Sequence, residues 1–272
     1  MIVDFHTHIV PPRIKEKREL YLDRDPYFHM LYSGNARLAT AEDLVASMDE
    51  AGVDVSVALN LPWQDRRLLR ETNDYILEAM ARYPARIVGF GVLPPGEAAL
   101  SELERLVQGG IQGLGELSTG PGFGLEELKG LGPAVRRHGL PLLFHASEPV
   151  GHDYPGKGAI TPGVIYPFIT AFPGLTFVLA HWGGGLPFYS LMPEVGEALK
   201  NTYVDTAATR LLYRSAIYPL VGQLLGWDKV LFGTDFPLLS QARCLEEVQA
   251  LRLGQEKKRA ILGGNARRLL QL

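Results

Sequence analysis

Eight short runs dense in Val, Ile, Leu and Phe recur along the chain, at residues 2–6, 54–60, 86–92, 111–117, 141–145, 175–181, 202–206 and 229–235. Most lack the apolar–polar alternation of a strand with one wet face, so they read as strands of a parallel sheet covered on both sides. Helix-like stretches lie between them. The first opens at Thr40 with Thr-Ala-Glu-Asp, a capping box with Asp43 in the place usually held by Glu, and Leu44 and Met48 follow at helical spacing. Comparable patterns cover 71–83, 97–107, 125–138, 186–199, 211–225 and 245–251, and 263–272 reads as a final capped helix. Strands alternating with helices of this length require right-handed βαβ units. Eight of them predict an α/β protein built as a closed (β/α)8 TIM barrel, with an open doubly wound sheet as the alternative. A single barrel domain over residues 1–272 is expected. Two intervals break the rhythm, 9–39 and 146–160. Each follows the carboxyl end of a strand, the first rich in Pro, Arg, Asp and Tyr and the second in Pro and Gly, so each is expected to be a loop insertion covering a site.

Composition narrows the choice of chemistry. With 46% hydrophobic and 21% charged residues the chain can bury a sizeable core, which removes disordered and coiled-coil classes. Its 27 Lys and Arg stand against 30 Asp and Glu, a net charge of −3, without long blocks of one sign. No basic footprint suggests nucleic acid or a membrane surface, and a small-molecule substrate is the expectation. Homo-oligomerisation is left open. The single cysteine, Cys244, excludes an internal disulfide and a Cys-rich metal framework, so any metal must be held by His and carboxylates. There is no basic segment leading into an apolar one at the start, and no apolar run of spanning length. The expectation is a cytoplasmic protein.

The histidines fall at strand ends. His6 ends the first predicted strand and His8 follows two residues on, the same way round by the period-2 rule. His145 ends the fifth and His181 the sixth. The eighth ends in Gly-Thr-Asp-Phe-Pro, where Asp235 would be costly to bury without a cation or donors. Since the strand ends of a barrel converge, His6, His8, His145 and Asp235 are placed to surround one ion. Zn2+ suits imidazole and carboxylate best, with Mn2+, Fe2+ or Co2+ as alternatives.

Taken together, Asp4-Phe-His-Thr-His8, His145 within Leu-Leu-Phe-His-Ala, the run from Phe172 to Gly185, Gly-Thr-Asp-Phe-Pro237 and Gly264-Asn-Ala266 resemble the amidohydrolase superfamily. The resemblance is to the group that includes aminocarboxymuconate semialdehyde decarboxylase and its hydrolase relatives. It implies a distorted barrel, one divalent ion on His6, His8, His145 and Asp235, and a catalytic or substrate-polarising role for His181. The expected reaction is hydrolysis of an amide, lactone or related carbonyl by ion-activated water, with Asp235 as proton carrier and His181 steadying developing charge. Non-oxidative decarboxylation of a small unsaturated or aromatic acid is the alternative, with Arg13, Arg24, Arg210 or Arg214 as carboxylate clamps. Glu116, in Gly-Leu-Gly-Glu-Leu, resembles the Gly-Glu element of TatD-like enzymes, which implies a second ion on Glu116 and His181. A barrel that only binds is a third reading, disfavoured by the retained Asp235 and His181. Trp63, Trp182, Arg210 and His152 are candidate substrate contacts.

Overall fold

In the computed structural model, which describes residues 1–118, 125–158 and 160–272, eight strands pair in sequence order and in parallel. They are β1 Val3–His8, β2 Val55–Leu59, β3 Ile87–Gly91, β4 Gly113–Leu117, β5 Leu142–Phe144, β6 Phe177–Leu179, β7 Thr202–Asp205 and β8 Val230–Leu231. Each overlaps one of the predicted runs. The ring closes where the segment around β8 meets β1: Phe5 N donates to Phe232 O at 2.7 Å, Asp235 N to His6 O at 2.9 Å and His8 N to Phe236 O at 2.7 Å. The result is the expected TIM barrel. One apolar cluster of inward residues, including Val3, Phe5, Val57, Phe90, Leu143 and Leu231, is sealed from solvent, each side chain contributing roughly 2 kcal/mol by burial. Among the described residues no helix is long and apolar enough to cross a membrane.

The Thr40 signal reads correctly. Thr40 Oγ1 accepts from Asp43 N and Asp43 Oδ2 accepts from Thr40 N at 2.7 Å, opening the helix Ala41–Ala51, which ends at the left-handed Gly52. Elsewhere helices depart from expectation. Interval 9–39 contains three short helices, Pro12–Glu16, Arg18–Leu22 and Pro26–Tyr32. Pro begins the first and third, and Asp25 caps the third by accepting from Phe28 N at 2.9 Å. Within 146–160, residue 159 lies outside the described residues. Helix Pro162–Ala171 escapes the pattern because it is apolar around most of its circumference and carries Pro167 in its middle. The helix expected over 186–199 is instead a tight turn run, His181–Leu191, followed by Pro193–Ala198. Pro187 and Pro193 interrupt it, and Trp182 to Gly185 are all left-handed. The stretch 211–225 likewise divides into Thr209–Leu212 and Ile217–Leu224.

Candidate metal centre at the carboxyl ends of the strands

Two strands carry irregularities next to the side chains that matter. The register of β1 on β2 shifts between Asp4 and Thr7, and that of β4 on β5 shifts between Leu114 and Leu117. Bulges of this kind re-aim side chains, and here they flank His6 and Glu116. Gly233 lets β8 approach, since a Cβ there would stand 2.8 Å from that of His6. His181 and Asp235 adopt left-handed backbone, with φ of 54° and 65°, a conformation costing about 1–2 kcal/mol for a residue with a side chain. Each is held by a hydrogen bond from its own N–H, His181 to Asp205 Oδ1 at 3.0 Å and Asp235 to His6 O. The fold sustains local strain to aim these two groups inward.

The gathered atoms are close. His6 Nε2 and His8 Nε2 lie 3.1 Å apart, and Asp235 Oδ1 is 3.6 Å from the first and 3.4 Å from the second. Glu116 stands between these residues and the other two histidines. Its carboxylate is 3.8 Å from His6 Nε2, 3.6 Å from His8 Nε2, 2.8 Å from His145 Nδ1 and 3.6 Å from His181 Nε2. His145 thus falls beside Glu116 and His181, its Nδ1 3.3 Å from His181 Nε2, rather than against the His6–His8 pair. Triads with donor atoms within 4.8 Å of one another include His6, His8 and Glu116; His6, His181 and Asp235; and Glu116, His145 and His181.

Outer partners fix which nitrogens face inward. His6 Nδ1 donates to Asp205 Oδ2 at 2.8 Å, and His181 Nδ1 donates to Ala207 O at 3.2 Å. The Nε2 atom of each neutral ring is therefore a bare lone pair pointing at other lone pairs and at carboxylates. Burial opposes charge on His6, but Asp205, Glu116 and Asp235 outweigh it and push its pKa up to about 10. His181 goes up to about 9 against the same burial effect, through Glu116 and Asp235. Burial would raise Glu116 and Asp235. Instead His145 and His6 hold Glu116 well below the usual carboxylate range, and His8, His6 and His181 do the same for Asp235. The centre requires positive charge, and neutral imidazoles with two carboxylates are a donor set that fits a divalent cation.

Above the cage opens a cavity of about 530 Å³ lined by Glu116, His145, His181 and Asp235 at its floor and by Tyr27, Tyr32 and Tyr154 among its walls. His152, an expected substrate contact, lines it. Trp63, Trp182 and Arg210 do not. Trp63 stacks on Phe28 at 4.8 Å, and the fully buried Trp182 donates to Thr209 Oγ1 at 2.8 Å; both rings pack into the protein. Arg210 turns out to Glu247 at 3.7 Å, Arg13 pairs with Glu71, and Arg24 pairs with Asp65. The cation in the cavity lining is Arg37, exposed and without an acidic partner among the described residues. No strand-end signal marks it, because it sits in the first insertion.

The family model described as "Amidohydrolase" matches residues 3–272. The chain is 24% identical to 2-amino-3-carboxymuconate-6-semialdehyde decarboxylase of Dictyostelium discoideum, over 99% of this chain and 91% of that protein. It is 22% identical to gamma-resorcylate decarboxylase of a Polaromonas species, over 87% and 89%. Its fold is that of 5-carboxyvanillate decarboxylase of Novosphingobium aromaticivorans, a structure complexed with manganese and 4-hydroxy-3-methoxy-5-nitrobenzoic acid, at TM-score 0.81, 19% identity and coverage of 100% and 96%. These relatives are named as decarboxylases, which overturns the hydrolytic expectation and favours the carboxy-lyase alternative. The misreading has a physical origin: a cage of imidazoles and carboxylates specifies a cation but not which bond breaks beside it. With a match that omits only the first two residues, the chain belongs to the amidohydrolase family.

Proposed function

We propose that the protein is a metal-dependent carboxy-lyase that removes CO2, without an oxidant, from a small aromatic or unsaturated acid. The observation that carries this reading is the cavity. Its tyrosine walls suit a flat ring, its volume of about 530 Å³ suits a small acid, and the unpaired Arg37 guanidinium lines it together with the cage. The named activities of the relatives support the same reaction class. His6, His8, Asp235 and Glu116 would hold a divalent ion such as Mn2+ or Zn2+, which supplies charge neutralisation for the substrate's oxygens.

The chain's own groups do the rest. Arg37 attracts the anionic substrate and the tyrosines orient its ring. Asp235 is the most open member of the cage, its side chain 14% exposed against 9% or less for His6, His8, Glu116, His145 and His181. It is therefore the group positioned to relay a proton, taken up from solvent through the cavity, to the carbon that bears the carboxylate. The C–H bond forms there, the C–C bond to the carboxylate breaks with its electron pair returning to the ring or double bond, and CO2 leaves. His181, anchored through Ala207 O, steadies the charge that develops. The test is CO2 release from a panel of hydroxybenzoates and unsaturated dicarboxylates by Mn2+- or Zn2+-loaded protein. Release from at least one compound, abolished by chelation, is expected; no release from any by fully loaded protein contradicts the proposal.

A further inference from the structure

We infer that Trp63 and Asp25 are positioning residues for the substrate: they pin the helix that carries Tyr27 and Tyr32 to the loop after β2, and so hold this wall of the cavity at a fixed place over the cage. The inference rests on the reading of the cavity as the site of the acid. It gives Trp63 a part other than the substrate contact expected from the sequence.

The wall cannot hold itself. Helix Pro26–Tyr32 is seven residues long, and a helix this short is unstable in water without tertiary contacts. Tyr27, Leu31 and Tyr32 line the cavity. Between them the fully buried Phe28 points into the protein, where its ring stacks on Trp63 at 4.8 Å with 21° between the planes, and Tyr32 lies against Phe28 at 4.9 Å. Trp63 therefore acts on the wall through Phe28.

Asp25 is the second pin. Wholly buried, it accepts from Phe28 N on Oδ1 at 2.9 Å, and from Gln64 N and Asp65 N on Oδ2 at 2.6 and 2.9 Å. One oxygen grips the helix and the other the loop. The loop is itself fixed at both ends. Asp65 caps helix Arg66–Arg82 by accepting from Arg67 N at 2.8 Å and Leu68 N at 3.1 Å, and Trp63 Nε1 donates to Asn60 Oδ1 at 3.3 Å. Asn60 leads back to the cage, because its backbone carbonyl accepts from Glu116 N at 2.9 Å, while its Nδ2 donates to Asn73 Oδ1 at 2.7 Å. The wall and the cage carboxylate thus share one buried residue as their reference point. Tyr27 shows the proximity that results: burial first and then the charge of Glu116 push its phenol above the ordinary range.

Three substitutions test the pins. Trp63→Leu removes the stacking surface and the N–H, Trp63→Phe keeps a stacking ring without the N–H, and Asp25→Asn leaves one oxygen where two are used and turns an amide NH2 toward N–H donors. Two measurements are made on Mn2+-loaded protein. Hydrogen exchange read by mass spectrometry is expected to speed up about 10-fold over residues 26–33 in Trp63→Leu and Asp25→Asn, with β1 and β2 as protected as in the unsubstituted chain. For whichever acid of the panel above releases CO2, KM is expected to rise about 10-fold in both, with kcat changed far less, and to recover most of the way in Trp63→Phe. Unaltered exchange over 26–33 in both variants, loss of protection spread evenly through the barrel, or an unchanged KM once 26–33 has loosened overturns the inference, since a merely structural residue lowers the amount of folded protein and not the affinity of what stays folded. If no acid of the panel reacts, the reaction proposed above falls, and the exchange measurement still decides whether the pins hold the wall.

Discussion

Asp4 and Glu116 are both buried carboxylates on barrel strands, 0% and 4% exposed, and they face opposite surroundings. Asp4 is saturated by neutral donors: Thr234 Oγ1 at 2.6 Å, Gln241 Nε2 at 2.8 Å, Thr234 N at 3.0 Å and His6 N at 3.2 Å. Among the described residues no cation approaches it, and burial raises its pKa from 3.8 to about 6 despite those bonds. Glu116 meets four histidine nitrogens and is held well below the usual range. Burial alone therefore does not identify a chemically active acid. An acid ringed by N–H and O–H donors is scaffold, whereas one ringed by ligand nitrogens belongs to a cation site. The two regions are coupled through Thr234, which Asp4 grips immediately before Asp235, so the scaffolding acid fixes the segment after β8 from which Asp235 projects.

Substitutions can break this contrast. The largest effect on turnover is expected from Asp235→Asn, which keeps the shape but loses the proton carrier: kcat for CO2 release falls by about 10³-fold, near the middle of the range for general acid–base groups, with the circular dichroism spectrum unchanged. Asp205→Asn is next. Asp205 accepts from His6 Nδ1 and from the backbone of His181 and Ala207, so its loss should weaken metal affinity by about 10–100-fold, measured by competition with a chromophoric chelator.

Asp4→Asn should change turnover of the folded protein least and alter stability instead. Because the folded-state pKa of Asp4 lies above its unfolded value of 3.8, the folded chain binds that proton more tightly. The stabilisation is full below about pH 4 and is lost as pH rises through about 6, a change of about 3 kcal/mol at most. In chelator-treated protein, the difference between the urea-unfolding curves of the unsubstituted chain and Asp4→Asn should show this step between pH 4 and 6. A flat difference would mean that the four donors keep Asp4 ionised throughout.

The strand ends were legible in the sequence because two strong signals coincide there: apolar runs that suit a doubly covered parallel sheet, and His or Asp where four of the runs stop, at His6, His145, His181 and Asp235. His6, His8, His145, His181 and Asp235 all reach one place for that reason. What the pattern could not give is the allocation of ligands, since the side of Glu116 on which His145 falls depends on the shift in β4 register and on which ring nitrogen turns inward. Trp63 and Trp182 follow strands as pocket-lining residues would, but a residue just past a strand can also fold back under the neighbouring helices, as both do. Arg37 and Tyr27 escaped because their positions depend on how the three short helices of the first insertion pack over the barrel mouth.

The most direct measurement is anomalous diffraction at the manganese edge from crystals of Mn2+-loaded protein. The expected map has a peak within the cage of His6, His8, Glu116 and Asp235, bordered by His145 and His181, and nothing beside Asp4. Manganese bound elsewhere on the molecule with the cage empty would contradict the assignment of these strand ends as the metal centre.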